Sequence, residues 1–528
     1  MGLRDGVKVS ALIIRPSQGH GGNSMKTKTI LAGLALTVAL GTAPALAQKS
    51  SDTLRIVLRD AVTNVDPYYN QLRTGLVIAH QAWDNLIYRD PDTFQPKPLL
   101  ATSWKIDDDL TIDFTLRQGV KFHNGDPFSA DDVVYTLNLV SAADSKISTP
   151  SNANWIEKAE KLDNYTVRVK LKRPVPAALE YFAMVLPIYP KAYREKVGPD
   201  GYAKAPVGAG PYKITRAEAH QVDFERFDGY YDSPKGKPAI GKLQVRFVPD
   251  AATEMTELLA GRAEFIWNFN PDQFESVSRI PTLQALRQES MRVGFIRLDA
   301  AGRSGANNPI TNVKVRQAIF HAIDREQIAK ELVRGGSRVP PAPCYPSQFG
   351  CDGDVAVKYN YDPAKAKQLL AEAGFPNGFE TELVTYVLPQ WAASVQSYLN
   401  AVGIKAKISQ LQVQALVQRC SRGECPMDMG SWGSYSINDV SAIMPVYFGG
   451  GNDDYARDAE VQKLLETAGT TMDTAKRKAN YTAAIKRATE QAYWVPLHTY
   501  VTTYGLSKTV GMKTYADEMP RFWLAKWQ

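Results

Sequence analysis

Residues 100–140 read LATSWKIDDDLTIDFTLRQGVKFHNGDPFSADDVVYTLNLV. Within them Thr111-Ile112-Asp113-Phe114-Thr115-Leu116 alternates polar and apolar side chains with period two, the pattern of a half-buried strand. Gly119 and the run Asn124-Gly125-Asp126-Pro127 follow as turn signals. Ser129 then offers a hydroxyl N-cap, and Asp132, three residues on, is its reciprocal partner in a capping box. Val133, Val134, Leu137 and Val140 carry the apolar stripe of the helix so begun. Paired strands followed by an amphipathic helix indicate an α/β architecture.

The same alternation extends along the chain. Thr53–Leu58 reads as an opening strand that breaks at Asp66-Pro67-Tyr68-Tyr69. A helix is expected from Lys314 to Glu331, with Val315, Ala318, Ile319, Ala322 and Ile323 on one stripe. Asp362-Pro363 starts another, with proline where its missing N–H costs nothing, and Gly374 ends it. No repeat of fixed period and no low-complexity segment is visible.

The first 47 residues read differently. Met25-Lys26-Thr27-Lys28 is a short basic start, Ile30–Leu40 is uncharged and apolar, and Ala45-Leu46-Ala47 presents small residues at a cleavage site. That order is a secretory signal peptide, and its apolar run is about half the ~20 residues that span a bilayer. Residues 1–24, upstream of a complete signal, read as a start codon placed too early or as a leader. Subtracting residues 1–47 removes five basic residues and Asp5, so 62 against 55 becomes 57 against 54. A near-neutral surface without Lys/Arg runs argues against nucleic acid or an acidic membrane as partner. The remaining chain of about 480 residues exceeds the ~250–300 at which single cores stop growing.

Four cysteines stand in two close pairs, Cys344/Cys351 and Cys420/Cys425. In an oxidising compartment they can close disulfides. Three connectivities are possible and sequence alone does not choose; local pairing is our reading. Their spacing lacks nearby His, which disfavours a zinc site. No G-x-S-x-G elbow, H-E-x-x-H or Walker A sequence occurs, and His123, His321 and His498 read as structural or surface residues. Gly208–Pro211 and Gly449–Gly451 read as turns. No catalytic residue, metal or cofactor is expected.

Residues 100–140 also closely resemble the signature of family 5 extracellular solute-binding proteins, the dipeptide- and oligopeptide-binding group. Every part is present from Ser103-Trp104 to Asp132-Val133. The resemblance continues in order through Pro206–Tyr212, with Ala209 where Thr is usual, then Arg316-Gln317-Ala318 to Ala322–Arg325, Tyr361-Asp362-Pro363 to Phe375, and Val402-Gly403-Ile404. It covers essentially all of 50–528. It implies an α/β, two-lobed periplasmic binding protein with a hinge and an additional subdomain. By that resemblance lobe I collects 48–78, 206–300 and 500–528, the extra subdomain is 79–205, and lobe II is 301–499. It further implies a non-enzymatic, monomeric subunit of an ABC importer in the periplasm. Such a subunit takes a small peptide or peptide-like ligand and delivers it to permease subunits in the inner membrane.

Ligands of α/β lobes sit on loops beyond strand ends. Met429–Asp439 is such a loop and resembles the family's G-W-x-x-D stretch, where peptide-binding members place an Asp against the ligand's α-ammonium. Here the third residue after Trp432 is Tyr435, not Asp. Asp439 either takes that role from a rearranged loop, or the pocket serves another kind of ligand: an oligosaccharide, an opine-like conjugate, or a metal or haem complex. Trp432 and Tyr435 can cover a ligand and Asn438 can read its backbone. Tyr68 and Tyr69 are candidates from lobe I. Arg419 and Arg422, flanking Cys420, are candidates for a ligand carboxylate, although a solvated loop position also explains them. A secreted hydrolase is the remote alternative.

The A-x-A site predicts a mature protein that begins at Gln48. N-terminal sequencing of periplasmic material checks this, and a return of Met1 or Met25 contradicts it.

Overall fold

A computed structural model describes residues 51–70 and 72–528 of the chain. The leader, the signal segment and the Gln48 start lie outside the described residues. The molecule is organised on one ten-stranded sheet, whose strands we number in chain order. They are β1 (Thr53–Leu58), β2 (Tyr212–Glu218), β3 (Gln221–Arg226), β4 (Lys242–Phe247), β5 (Phe265–Trp267), β6 (Leu283–Leu298), β7 (Phe379–Thr385), β8 (Ile404–Gln410), β9 (Met427–Trp432) and β10 (Trp494–Ser507). Their spatial order is β8-β7-β9-β6-β10-β5-β1-β4-β3-β2.

Two strands hold this sheet together. β6 and β10 are antiparallel partners that pair from Leu283↔Ser507 at one end to Arg297↔Trp494 at the other. The ladder slips between Glu289 and Val293 and again between Gly294 and Phe295. Such irregularities bend a strand and raise its twist. On one side of the slip lie β1–β5, lobe I; on the other lie β7–β9, lobe II. Val293–Leu298 pair with β9, so β6 serves strands on both sides of the slip.

The polarity of the remaining strands follows from these two. β5 runs antiparallel to β10, with Trp267 opposite Tyr504, and β1 runs parallel to β5 and β4. β9 runs antiparallel to β6, with Trp432 opposite Val293, and β7 runs parallel to β8 and β9. The carboxyl ends of both sets therefore point toward the slipped middle of the ladder.

The extra subdomain carries a four-stranded antiparallel sheet ordered 101–108, 111–116, 166–171, 156–163. The helix Ala130–Ser141 packs on it and begins with the expected capping box of Ser129 and Asp132. Leu54 and Ile56 of lobe I share one continuous core with Phe114, Val133 and Phe182 of the subdomain. Lobe II has its own cores, one around Ile319, Leu370, Leu383 and Val395, another around Phe295, Val461, Tyr481 and Trp494.

The helix expected over 314–331 is broken. Val313–Ala322 is helical, Ile323 is extended, and Asp324 caps a fresh turn by accepting from the Gln327 N–H. Disulfides join Cys344 to Cys351 and Cys420 to Cys425. The second lies just ahead of β9, where the Tyr455 hydroxyl donates to the Cys420 carbonyl and accepts from the Cys425 N–H.

Candidate functional site

In open α/β sheets, ligands bind beyond the carboxyl ends of the strands. Lobe II brings three such ends together: Tyr386 after β7, Gln410–Gln412 at the end of β8, and the loop after Trp432. A recess of about 630 Å³ is lined by Tyr386, Gln410, Leu411, Gln412, Val413 and Ala415. The Tyr386 hydroxyl accepts from the Ser431 N–H at 2.9 Å, which fixes the ring against the start of the loop. From lobe I, the segment after β1 leads into the helix Arg73–Ala82 and presents Arg73. The slipped ladder supplies Ser290, Arg292, Tyr500 and Thr502, with Glu518 alongside.

A charged network fills the contact between these parts. Glu518 is gripped by Arg292 at 3.0 Å, with Arg73 at 3.5 Å; the Ser290 hydroxyl also donates to it at 2.8 Å. Asp517 is held by Arg521 at 2.7 Å and Arg89 at 2.9 Å. Arg89 also reaches Glu180 of the subdomain at 2.8 Å. Burial works to raise the pKa of Glu518, but Arg292 and Arg73 outweigh it and bring it down from 4.5 to about 2. Asp517 is lowered in the same way, Arg521 and Arg89 outweighing burial.

The loop after Trp432 is what this network grips from across the cleft. Arg73 donates to the Ser436 hydroxyl at 2.5 Å, and that hydroxyl donates to the Asp517 carbonyl at 2.5 Å. Arg89 donates to the Ser436 carbonyl. The Asn438 N–H donates to Glu180 at 3.1 Å. Ile437 and Ala442 are buried in the core of lobe I and the subdomain. To make these contacts, Ser434, Tyr435 and Ser436 all adopt left-handed backbone, with φ of 51°, 48° and 63°. Each costs about 1–2 kcal/mol for an L-residue, so the contacts across the cleft are what hold this shape.

The family model described as bacterial extracellular solute-binding proteins, family 5 middle, matches residues 95–454. The chain belongs to this family. Heme-binding protein A of Haemophilus influenzae is 27% identical over 457 residues, covering 79% of this chain and 82% of that protein. Glutathione-binding protein GsiB of Salmonella paratyphi A is 31% identical over 395 residues, covering 72% and 73%. Among solved structures, the periplasmic binding protein DppA of Helicobacter pylori in complex with peptide STSA matches with a TM-score of 0.77 at 25% identity, covering 91% of this chain and 99% of that one. The fold is that of a two-lobed periplasmic binding protein.

Within this solute-binding protein the residues singled out from sequence separate into two groups. Trp432 and Tyr435 lie at the cleft. Their rings meet edge to face at 5.1 Å, and the Trp432 Nε1–H donates to the Ala442 carbonyl at 2.7 Å. Burial pushes the Tyr435 hydroxyl's pKa up, with Arg73 and Thr149 working against it. Asn438 is in the loop, but its backbone N–H makes the cross-cleft contact.

The others are occupied elsewhere. Asp439 is buried, and both its oxygens accept from Arg477, at 3.0 and 2.9 Å. It also caps the turn Val440–Ala442 through the Ser441 N–H. A carboxylate so engaged is not presented to a ligand ammonium. Arg419 pairs with Glu382 at 2.6 Å and Arg422 with Glu424 at 2.7 Å, each within lobe II. Tyr68 is a core residue whose hydroxyl donates to the Pro187 carbonyl at 2.7 Å, and Tyr69 packs against the same core. His498 is buried and His123 half-buried, and desolvation pushes both down to about 4.

Sequence reading missed Arg73, Arg89, Arg292, Asp517, Glu518 and Arg521. The one local cue was position: Arg73 follows the break after the first strand, where a strand-end loop belongs.

Two predictions follow from these pairs. Glu518 has a depressed pKa, so its contribution is complete above pH 4.5 and is lost as pH falls toward about 2. The difference in urea stability between wild type and Glu518→Gln shrinks over that window; a difference independent of pH contradicts it. Asp439→Asn leaves Arg477 buried without its anion and lowers stability by about 3–5 kcal/mol. Unchanged urea unfolding contradicts the structural role given to Asp439.

Proposed function

We propose that this solute-binding protein is the periplasmic capture subunit of an ABC importer, taking peptides or peptide-like solutes between its lobes and passing them to an inner-membrane permease. The observation that carries this reading is the convergence of strand ends from both lobes on the β6–β10 slip, with the Trp432 loop of lobe II gripped from lobe I. A contact made only when the lobes meet gives ligand occupancy a structural signature that a permease can read. Trp432, Tyr435, Tyr386 and Tyr500 supply flat, amphipathic surface suited to a peptide-like solute. Glutathione and the peptide STSA, in the names of the similar proteins, are both of that class. The chain is taken to act without catalysis and as a monomer.

Thermal unfolding of the mature protein against short peptides and oligosaccharides tests the reading. A cognate peptide at 100 times its Kd adds about 2.7 kcal/mol to stability and is recovered intact. Stabilisation by oligosaccharides alone contradicts peptide capture, and cleavage of the peptide contradicts a purely binding role.

A further inference from the structure

We propose that the disulfide-closed segment Cys344–Cys351 is the template on which lobe II shapes the Trp432 loop, with Gln348 as its positioning residue; the binding reading above supplies only that this loop meets the solute.

Irregular backbone must find partners for its N–H and C=O groups. In the second half of the loop those partners are two residues of one segment. The Gln348 Nε2 donates to the Ile437 carbonyl at 3.0 Å and to the Asp439 carbonyl at 3.3 Å. The Phe349 N–H donates to the Asn438 carbonyl at 3.1 Å, and the Val440 N–H donates to the Phe349 carbonyl at 3.0 Å. Phe349 and Asp439 thus form a parallel bridge. Three successive carbonyls and the next amide are fixed from inside lobe II. The groups left over point the other way: the Asn438 N–H crosses to Glu180, and the Ser436 carbonyl takes Arg89.

The segment can act as a template because it is itself held. The Tyr345 N–H donates to the Gln348 Oε1 at 3.0 Å, and the Gln348 N–H donates to the Tyr345 carbonyl at 2.9 Å. The Cys344–Cys351 disulfide closes this turn and restricts the conformations open to it. Gly350 has a φ of 83°, and a Cβ there would lie 2.6 Å from the Tyr481 ring, so glycine is what lets the turn pass so close. The Phe349 ring packs 4.5 Å from the guanidinium carbon of Arg477, the arginine that also holds Asp439. Gln348 is only 3% exposed, and its one amide joins the turn to the loop.

The strained residues Ser434–Ser436 therefore reach across the cleft from a base that is already shaped. Ordering residues 437–440 at each closure would cost conformational entropy, and preorganisation takes that cost out of binding.

Hydrogen exchange on the mature protein tests the template without a ligand. The Val440 amide is expected to be protected in the ligand-free wild type. Gln348→Met keeps the side-chain bulk and loses the donors; Gln348→Glu keeps the acceptor for Tyr345 and loses the donors. Each should speed exchange at Val440 at least tenfold more than at amides inside β7 and β9. The Cys344→Ser/Cys351→Ser double variant should do the same, and Cys420→Ser/Cys425→Ser should not. Fast exchange at Val440 in the wild type overturns the proposal. So does a Val440 acceleration in the Gln348 variants no greater than that of β7 and β9, because Gln348 would then hold the fold and not the loop. Calorimetry with the peptide Ser-Thr-Ser-Ala and with S-methylglutathione, which has no free thiol to exchange with the disulfides, carries the test to binding. A probe bound by the wild type should bind Gln348→Met at least tenfold more weakly, and equal affinity overturns the proposal. If neither probe binds the wild type while the exchange pattern holds, capture of these two solutes is removed and the template stands.

Discussion

Everything in this fold is referred to two strands. Because β6 and β10 run antiparallel through both lobes, each lobe's other strands must take their direction from one or the other. β5 and β9 pair with them antiparallel from opposite ends of the ladder, and the parallel strands beside β5 and β9 inherit those directions. Two separate lobes thus present carboxyl ends to the same place without any contact between their cores being required. The slip at Glu289–Val293 sits in the middle of this arrangement, where a bend re-aims both lobes at once.

Across that bend the lobes are joined mainly by hydrogen-bonded ions and one strained loop. Ion pairs taken out of water gain little net stability, since desolvation offsets most of the attraction. The left-handed residues Ser434–Ser436 add a further cost. Against these stand the burial of Ile437 and Ala442 and the hydrogen bonds of Ser436 and Asn438. Near-balance of this sort is what a two-state device needs, because a ligand shifts an equilibrium only by its difference in affinity for the two states.

Local structure was legible in the sequence because it is set by neighbours in the chain. The alternation of 111–116, the Ser129–Asp132 box and the Pro363 helix start all stand in the structure as their residue types dictate. The helix expected through 331 failed at Ile323 because Asp324 competes for the backbone as a cap, a cue the apolar stripe concealed. The site was only half legible. Trp432 and Tyr435 sit on a motif-bearing loop, whereas Arg292 and Glu518 are 226 residues apart and Arg89 and Asp517 are 428 apart. Such partners are joined by topology, and no spacing announces them. Asp439 looked free because Arg477, 38 residues later, lies on a different helix.

The claim that ligand holds the lobes together through the Trp432 loop rests most directly on the Asn438 amide, whose proton crosses the cleft to Glu180. Hydrogen exchange at that amide, with and without a saturating ligand from the peptide screen, measures the contact itself. The account predicts fast exchange in the free protein and strong protection in the occupied one, while amides inside β7 and β9 stay protected in both. Equal exchange at Asn438 in the two states would contradict it.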